Sequence, residues 1–428
     1  MRIWKILLRA AAACLTLALL AGCTASASPN VEELLRAPQL SGEYSSIKAV
    51  LDNYLGESAQ LKYPNTGNFL SPYLSGDWDG DGAADMLVLY QTSASANVCL
   101  AVLQKNADGA WQVAGTAEGL SNTVQSVRLA SLRGGSENQI MVGYSTQGDE
   151  YLAVYTYENG GLQTILQQTY TQYIVEDITG SGGEDLVLLS DDAAAEKLQV
   201  QLLTAGEDGF TLVQALGLSS EQFTGCAAIS AGRGSNGKTY LVLDGWTGAT
   251  GTSLASVVLC YDQYARQLEA ADLPGTEDLY TDSLRYVGLL TSRDLDGDGV
   301  VEIPTQPDEA GQLNLSQDKR MDFVVWHDFT KRHSEKSFGL LDEEYGYYIE
   351  LPTLWQGNLL LTDGETEGSV ELRNLSGDEL YLTLRVASQI TPGWYRLGTV
   401  ASGQIQVQLG PDAGELTVAQ LSQSLHIL

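Results

Sequence analysis

The stretch Asp77-Trp78-Asp79-Gly80-Asp81-Gly82-Ala83-Ala84-Asp85 puts carboxylates at positions one, three, five and nine and a glycine at position six. It runs directly into an apolar stretch of strand length, Met86-Leu87-Val88-Leu89-Tyr90. The pattern returns as Asp294-Leu295-Asp296-Gly297-Asp298-Gly299-Val300-Val301-Glu302-Ile303. Degraded copies open at Ser131, Asp177 and Ala231, so the five openings are spaced by 46 to 63 residues. Apolar runs follow the copies at Ile140–Tyr144, Leu186–Leu189 and Tyr240–Leu243. A recurring turn and short strand at this interval demands stacked repeats, because no single unit can bury its own apolar face.

Behind each loop comes a second recurring unit of strand, polar turn and strand. Examples are Ala101-Val102-Leu103 with Asp108-Gly109 and Trp111-Gln112-Val113, and Val200–Leu203 with Asp208-Gly209 and Phe210–Leu212. Ala153–Tyr157 with Asn159-Gly160, then Val257–Tyr261, then Phe323–Trp326 hold the corresponding places. Asp-Gly and Asn-Gly pairs suit tight hairpin turns. Several antiparallel strands in about 50 residues is the size of a propeller blade. The fold class expected is mainly β: a β-propeller over residues 61–335, with five blades as first choice and six or seven as alternatives.

The loop chemistry follows from the residue types. Calcium takes six to eight oxygens, and a tight loop turns alternate side chains onto one point. The ligands expected are Asp77, Asp79, Asp81, the Ala83 carbonyl and Asp85 in the first loop. In the last loop they are Asp294, Asp296, Asp298, the Val300 carbonyl and Glu302. A strand rather than a helix follows, and position twelve is Val88 or Thr305, so an EF-hand is disfavoured. The middle loop, with Asp177, Thr179, Ser181, Gly183 and Asp185, has hydroxyls at positions three and five and should bind more weakly. The other two loops carry Arg133 and Arg233 at position three. There an arginine could hold the loop by bonding carbonyls or carboxylates, or it could simply point into solvent.

The motif Asp-x-Asp-Gly-Asp-Gly-x-x-Asp followed by Leu-Val-Leu resembles the FG-GAP/VCBS repeats of integrin-alpha-like propellers. That resemblance implies calcium in the loops, stiffening the blades. The Phe-Gly and Gly-Ala-Pro signature of those repeats is absent from this chain.

Residues 1–22 read as an export signal: Arg2, Lys5 and Arg9, then an apolar span from Ala11 to Leu20. Leu20-Ala21-Gly22-Cys23 resembles the bacterial lipobox, which implies cleavage before Cys23 and a lipid on its thiol. The expectation is a repeat lipoprotein, exported and anchored by acyl chains on the outer face of a bacterial cell membrane. Residues 23–30 form a tether, residues 31–60 a helical cap, and residues 336–428 a small α+β domain opened by Tyr345, Tyr347, Tyr348 and Trp355. Those aromatics could stack on sugar rings or serve as core.

The chain of 428 residues carries 54 acidic against 23 basic residues, a net charge of −31. Such a surface repels phosphate backbones and argues against a nucleic-acid role. Cys99, Cys226 and Cys260 lie in apolar runs without disulfide or zinc spacing. The three histidines, His327, His333 and His426, lack zinc-enzyme spacing, and no Gly-x-Ser-x-Gly elbow is present. No catalytic constellation is legible, so the function expected is a non-enzymatic binding or scaffolding module for an envelope polysaccharide or protein. The alternative is a hydrolase or lyase acting on polysaccharide.

Overall fold

The computed structural model describes residues 42–134, 138–146, 148–192, 197–219, 221–248 and 251–428. The leader, Cys23, the tether and residues 31–41 lie outside the described residues, as do Gly135 and Ser136 of the second loop. The chain divides into two compact units, Met1–Glu57 and Ser58–Leu428. In the first, Gly42–Leu55 is a helix that buries Ile47 and Leu51, four residues apart on one face. Gly56, at a φ of 71°, ends it in the left-handed conformation glycine tolerates best. Among the described residues no helix is long and apolar enough to cross a membrane.

The second unit is a succession of antiparallel sheets, each wound in chain order. In the first, Gln60–Leu61 and Tyr73–Gly76 pair with successive halves of Asp85–Gln91, followed by Cys99–Lys105 and Trp111–Glu118. The second holds Val124–Ala130, Gln139–Thr146, Asp149–Glu158 and Gly161–Thr169. The third holds Gln172–Glu176, Asp185–Asp192, Lys197–Gly206 and Gly209–Leu218. The fourth holds Gly225–Arg233, Thr239–Thr247, Ser253–Asp262 and Gln267–Ala270. In three of these sheets the last strand pair slips register at the same place: after Val102, after Val154 and after Leu202. A recurring bulge marks one repeated unit.

Burial explains why some strands read as unbroken apolar runs. Asp85–Gln91 is buried at nearly every residue because both its faces are covered, whereas Trp111–Glu118 alternates between half-buried and exposed. Separate apolar clusters fill the seams between neighbours. Leu87, Leu89, Val142 and Tyr155 join the first and second sheets; Met141, Val154, Leu186 and Leu188 join the second and third. Val187, Leu189, Leu241 and Leu243 join the third and fourth. Sheets stacked face to face, with dry inner strands and wetter outer ones, form a β-propeller.

The fifth sheet combines Ile303–Thr305, Met321–His327, Glu335–Asp342 and Tyr347–Glu350 with Leu425–Ile427 from the end of the chain. It therefore runs across residue 336, where the sequence suggested a domain boundary. The sixth sheet is ordered Gln312–Asn314, Leu359–Asp363, Ser369–Asn374, Leu380–Ala387, Gly403–Leu409, Tyr395–Val400, and only its first pairing is parallel. Phe323, Phe338 and Tyr347 of the fifth sheet share a core with Leu361, Leu384 and Ile405 of the sixth. A short helix, Val418–Gln423, is closed by a Thr417/Gln420 capping box. The aromatics that open this segment are structural: Tyr347 and Tyr348 are buried, and Trp355 stacks on Tyr381 with centroids 4.5 Å apart.

One polar network sits wholly inside the second unit. Arg285 and Asp244 are 0% and 1% exposed and pair at 2.7 Å. Arg285 Nη1 donates to Ser256 Oγ at 3.0 Å and the Ser283 carbonyl at 2.8 Å, and Nε donates to the Leu290 carbonyl. Asp244 accepts from the Ser256 and Ser292 hydroxyls at 2.6 and 2.8 Å. The network pins the segment from Leu279 to Arg293 onto the fourth sheet, where Leu254 and Arg285 exchange backbone hydrogen bonds. Removing one partner leaves the other charge buried and unpaired. Arg285→Met should therefore cost about 3–5 kcal/mol in urea unfolding, and Asp244→Asn/Arg285→Met less than the sum of the two single changes.

Candidate functional site

Four of the five loops close by one device. The backbone N–H at position two donates to the side chain at position nine, the residue that starts or precedes the next strand. Trp78 N–H donates to Asp85 Oδ2 at 3.1 Å, Leu132 N–H to Gln139 Oε1 at 2.8 Å, and Leu295 N–H to Glu302 Oε2 at 2.8 Å. Asp185 Oδ2 accepts from both Ile178 and Thr179, at 2.9 and 2.7 Å. The acceptors are buried, and burial raises the Asp85, Asp185 and Glu302 carboxyls above their ordinary range.

Inside the loops the first carboxylate organises the turn. Asp77 accepts from Gly80 and Gly82 N–H at 2.8 and 2.9 Å; Asp294 accepts from Gly297 and Gly299 at 2.7 and 2.8 Å. Asp177 takes the same part with Ser181 and Gly182. Positions four and six need glycine because both are left-handed: φ is 74° and 83° at Gly80 and Gly82, and 78° and 87° at Gly297 and Gly299. Gly76 is needed for another reason. A Cβ there would lie 2.6 Å from the ring of buried Trp78.

Carboxylate oxygens of Asp77, Asp79 and Asp85 lie within 4.8 Å of one another, as do those of Asp294, Asp296 and Glu302. Asp81 and Asp298 stand outside these two sets, each accepting from the N–H two residues on. In the middle loop Ser181 Oγ accepts from Gly183 N–H, and Asp177 and Asp185 are the only carboxylates among the expected ligands.

The two best loops differ in what faces the carboxylates. In the first, Gln104 Nε2 donates to Asp79 Oδ2 at 2.7 Å and Asp85 Oδ2 at 3.3 Å, while Tyr157 OH donates to Gln104 Oε1. In the last, Lys336 Nζ contacts Asp296, Asp298 and Glu302 at 3.1, 2.8 and 2.5 Å. The lysine bond holds Asp298 below the usual carboxylate range. Burial alone would lower the Lys336 ammonium, but its three carboxylate partners carry it well above the ordinary value. The first loop's donor set, hard oxygens around a neutral carboxamide, fits calcium. The last supplies the same oxygens with a cation already among them.

The two arginine loops part company. Arg133 bonds the Glu158 carboxylate, and its Nη2 donates to the Glu207 carbonyl at 3.0 Å, bridging the second sheet to the third. Arg233 has its side chain exposed and without a hydrogen-bond partner among the described residues, while its backbone N–H donates to the Gly299 carbonyl at 2.7 Å. The loops also dock on their neighbours. Glu184 N–H donates to the Ser131 carbonyl at 3.1 Å, and Gln263 Nε2 donates to the Thr179 carbonyl at 2.6 Å.

Crevices open at one of these seams and elsewhere on the second unit. One of about 380 Å3 is lined by Asp177, Arg233, Lys238, Tyr261, Gln263 and the fully exposed Tyr264. A second, of about 440 Å3, lies among Gln222, Thr224, Thr247, Tyr280 and Tyr286. A third, of about 170 Å3, holds Asp318, Asp342 and Glu344 with Arg320 and Arg385. Burial pushes Asp342 up to about 6, yet its Oδ1 is committed to the N–H groups of Glu344 and Tyr345 in the following turn.

No family model matches the chain, and no curated relative matches it. Among solved structures it is similar to the Dos1 propeller at 10% identity and a TM-score of 0.33, covering 82% of this chain and 81% of that one. It is also similar to the rhamnogalacturonan lyase YesW, with 10% identity, 82% and 72% coverage and a TM-score of 0.33. A rhamnogalacturonan lyase of Bacillus licheniformis gives 12%, 76% and 71%, and 0.29. The expectation of a non-enzymatic chain is corrected by this: two of these structures are enzymes, so nothing in the fold excludes catalysis. Likeness at these scores assigns no reaction and no catalytic residue to this chain; the propeller rests on its own sheet order.

The histidines do not gather. His333 is exposed, and His426 Nε2 lies 2.9 Å from Glu350 Oε1. His327 is half-buried, with Thr305 and Ser334 hydroxyls 3.0 Å from its two nitrogens and Phe329 stacked on its ring. Burial holds it at about 4, below the ordinary 6.5. Because its folded value is depressed, its contribution to stability is complete above pH 6.5 and is lost as the pH falls toward 4. His327→Gln should flatten the loss of stability between pH 6.5 and 4, by at most about 3 kcal/mol, when urea midpoints are compared with the parent at each pH.

Proposed function

We propose that this chain is a calcium-stabilised propeller lipoprotein, anchored through Cys23 outside a bacterial membrane, that binds a hydroxyl-rich envelope polymer in the crevices between its sheets. The observation that carries the calcium part is the convergence of Asp77, Asp79 and Asp85 within 4.8 Å on a loop already closed by its own N–H groups. Calcium would supply neutralising charge there, and the Ala83 carbonyl and Asp81 would complete the oxygen set. The middle loop, with hydroxyls in two places, would hold the ion more weakly.

Support for a polymer comes from the seam lined by Tyr261, Gln263, Tyr264, Arg233 and Lys238. Tyrosine faces suit sugar rings, and amide and cationic groups suit hydroxyls and carboxylates. The alternative, a hydrolase or lyase, would use the same surface and would shorten the polymer it binds.

Two measurements check this reading. EDTA should lower the melting temperature of the mature protein, and Asp79→Asn should abolish most of that response; terbium bound at the first loop should luminesce on excitation of the neighbouring Trp78. No EDTA shift and no sensitised emission would remove calcium from the account. For the ligand, Tyr264→Ala should weaken retention on envelope polysaccharide about tenfold, the loss of roughly 1.4 kcal/mol of contact. Unchanged retention would move the binding surface elsewhere, and shortened polymer in the flow-through would favour the enzyme.

A further inference from the structure

We infer that Lys336 is a built-in cation for the last loop: its ammonium replaces calcium among Asp296, Asp298 and Glu302, so this loop is metal-independent. The inference rests on the calcium reading of the first loop only for its contrast, and it stands on its own geometry. An ammonium has three N–H donors and no acceptor. All three find carboxylates here, at 3.1, 2.8 and 2.5 Å, and Glu302 is 1% exposed in its side chain. A divalent ion entering the loop would meet a fixed positive charge within contact distance, and like charges at that range repel strongly.

The lysine is aimed by the backbone. Glu335–Asp342 pairs with Met321–His327 so that Trp326 opposes Ser337 and His327 opposes Glu335, which leaves Lys336 as the extra residue of a bulge. Bulges redirect the side chain they carry. In the first loop the facing group is the Gln104 carboxamide, which is neutral and can offer an oxygen as readily as an N–H. Two loops with one acidic pattern thus differ by a whole charge at the point where an ion would sit.

Thermal unfolding of the mature protein in calcium and in EDTA tests this, with Asp79→Asn, Asp296→Asn, Lys336→Met and Lys336→Gln. Most of the calcium-dependent rise should be lost in Asp79→Asn and all of it should persist in Asp296→Asn, whose melting temperature falls equally in both buffers. Lys336→Met should melt lower in EDTA and gain a calcium response at least about 3 °C larger than the parent's. Lys336→Gln, which copies the first loop's carboxamide and conserves bulk, should gain the same response should the methionine variant not fold. A calcium response halved by Asp296→Asn, or unchanged by both lysine replacements, overturns the inference. A parent without response beside a responsive Lys336→Gln would retain it and remove calcium from the first loop instead.

Discussion

The loops of this propeller depend on a hydrogen bond that is not to a metal. An N–H at position two is held by the side chain at position nine, and that side chain begins or precedes the next strand. Because the acceptor is buried at Asp85, Gln139, Asp185 and Glu302 alike, leaving it unpaired would cost heavily, so loop and strand are fixed in one step. Gln139 is the informative member: it does this work without a charge. Closure of the loop therefore precedes any question of cations, and the carboxylates at positions one, three and five are an addition to a turn that already holds.

Once closed, each acidic loop faces the repulsion of its own charges, and this chain meets that constraint in several ways. The last loop brings in a lysine, the middle loop substitutes hydroxyls, and the first leaves its carboxylates gathered around a neutral amide. The second loop has an arginine that turns outward to a carboxylate of its own sheet and a carbonyl of the next. Arg233 looks equivalent by position, but its guanidinium lines a crevice with no hydrogen-bond partner among the described residues, and its backbone does the joining. One residue type at one repeat position thus serves two purposes, decided by what the neighbouring sheet presents.

What was legible in the sequence is what is contiguous. The nine-residue loops, the apolar strands after them and the glycine at position six all follow from neighbours along the chain, and Asn159-Gly160 does form its turn with both φ values positive. The partners that decide the chemistry are distant. Gln104 lies 19 residues beyond Asp85, Lys336 lies 34 beyond Glu302, and Arg285 lies 41 beyond Asp244. No periodicity links such pairs, because sheet register and a bulge bring them together. The fifth sheet was obscured for the same reason. Its last strand comes from the end of the chain, so a boundary drawn where the repeats stop cuts through a sheet that continues.

The seams between sheets connect these details to function. The middle loop touches Ser131 of the second sheet on one side and Gln263 on the other, and the last loop accepts a hydrogen bond from Arg233. The crevice bearing Tyr264 is walled by that same middle loop and by the turn that holds Gln263. That wall is closed by the chain itself: Asp185 Oδ2 accepts from both the Ile178 and Thr179 N–H groups. Of the three acidic loops it has the fewest carboxylates among its expected ligands, two against four. The loop beside the open crevice is therefore shaped by hydrogen bonds to Asp177 and Asp185, and needs no cation to hold its turn.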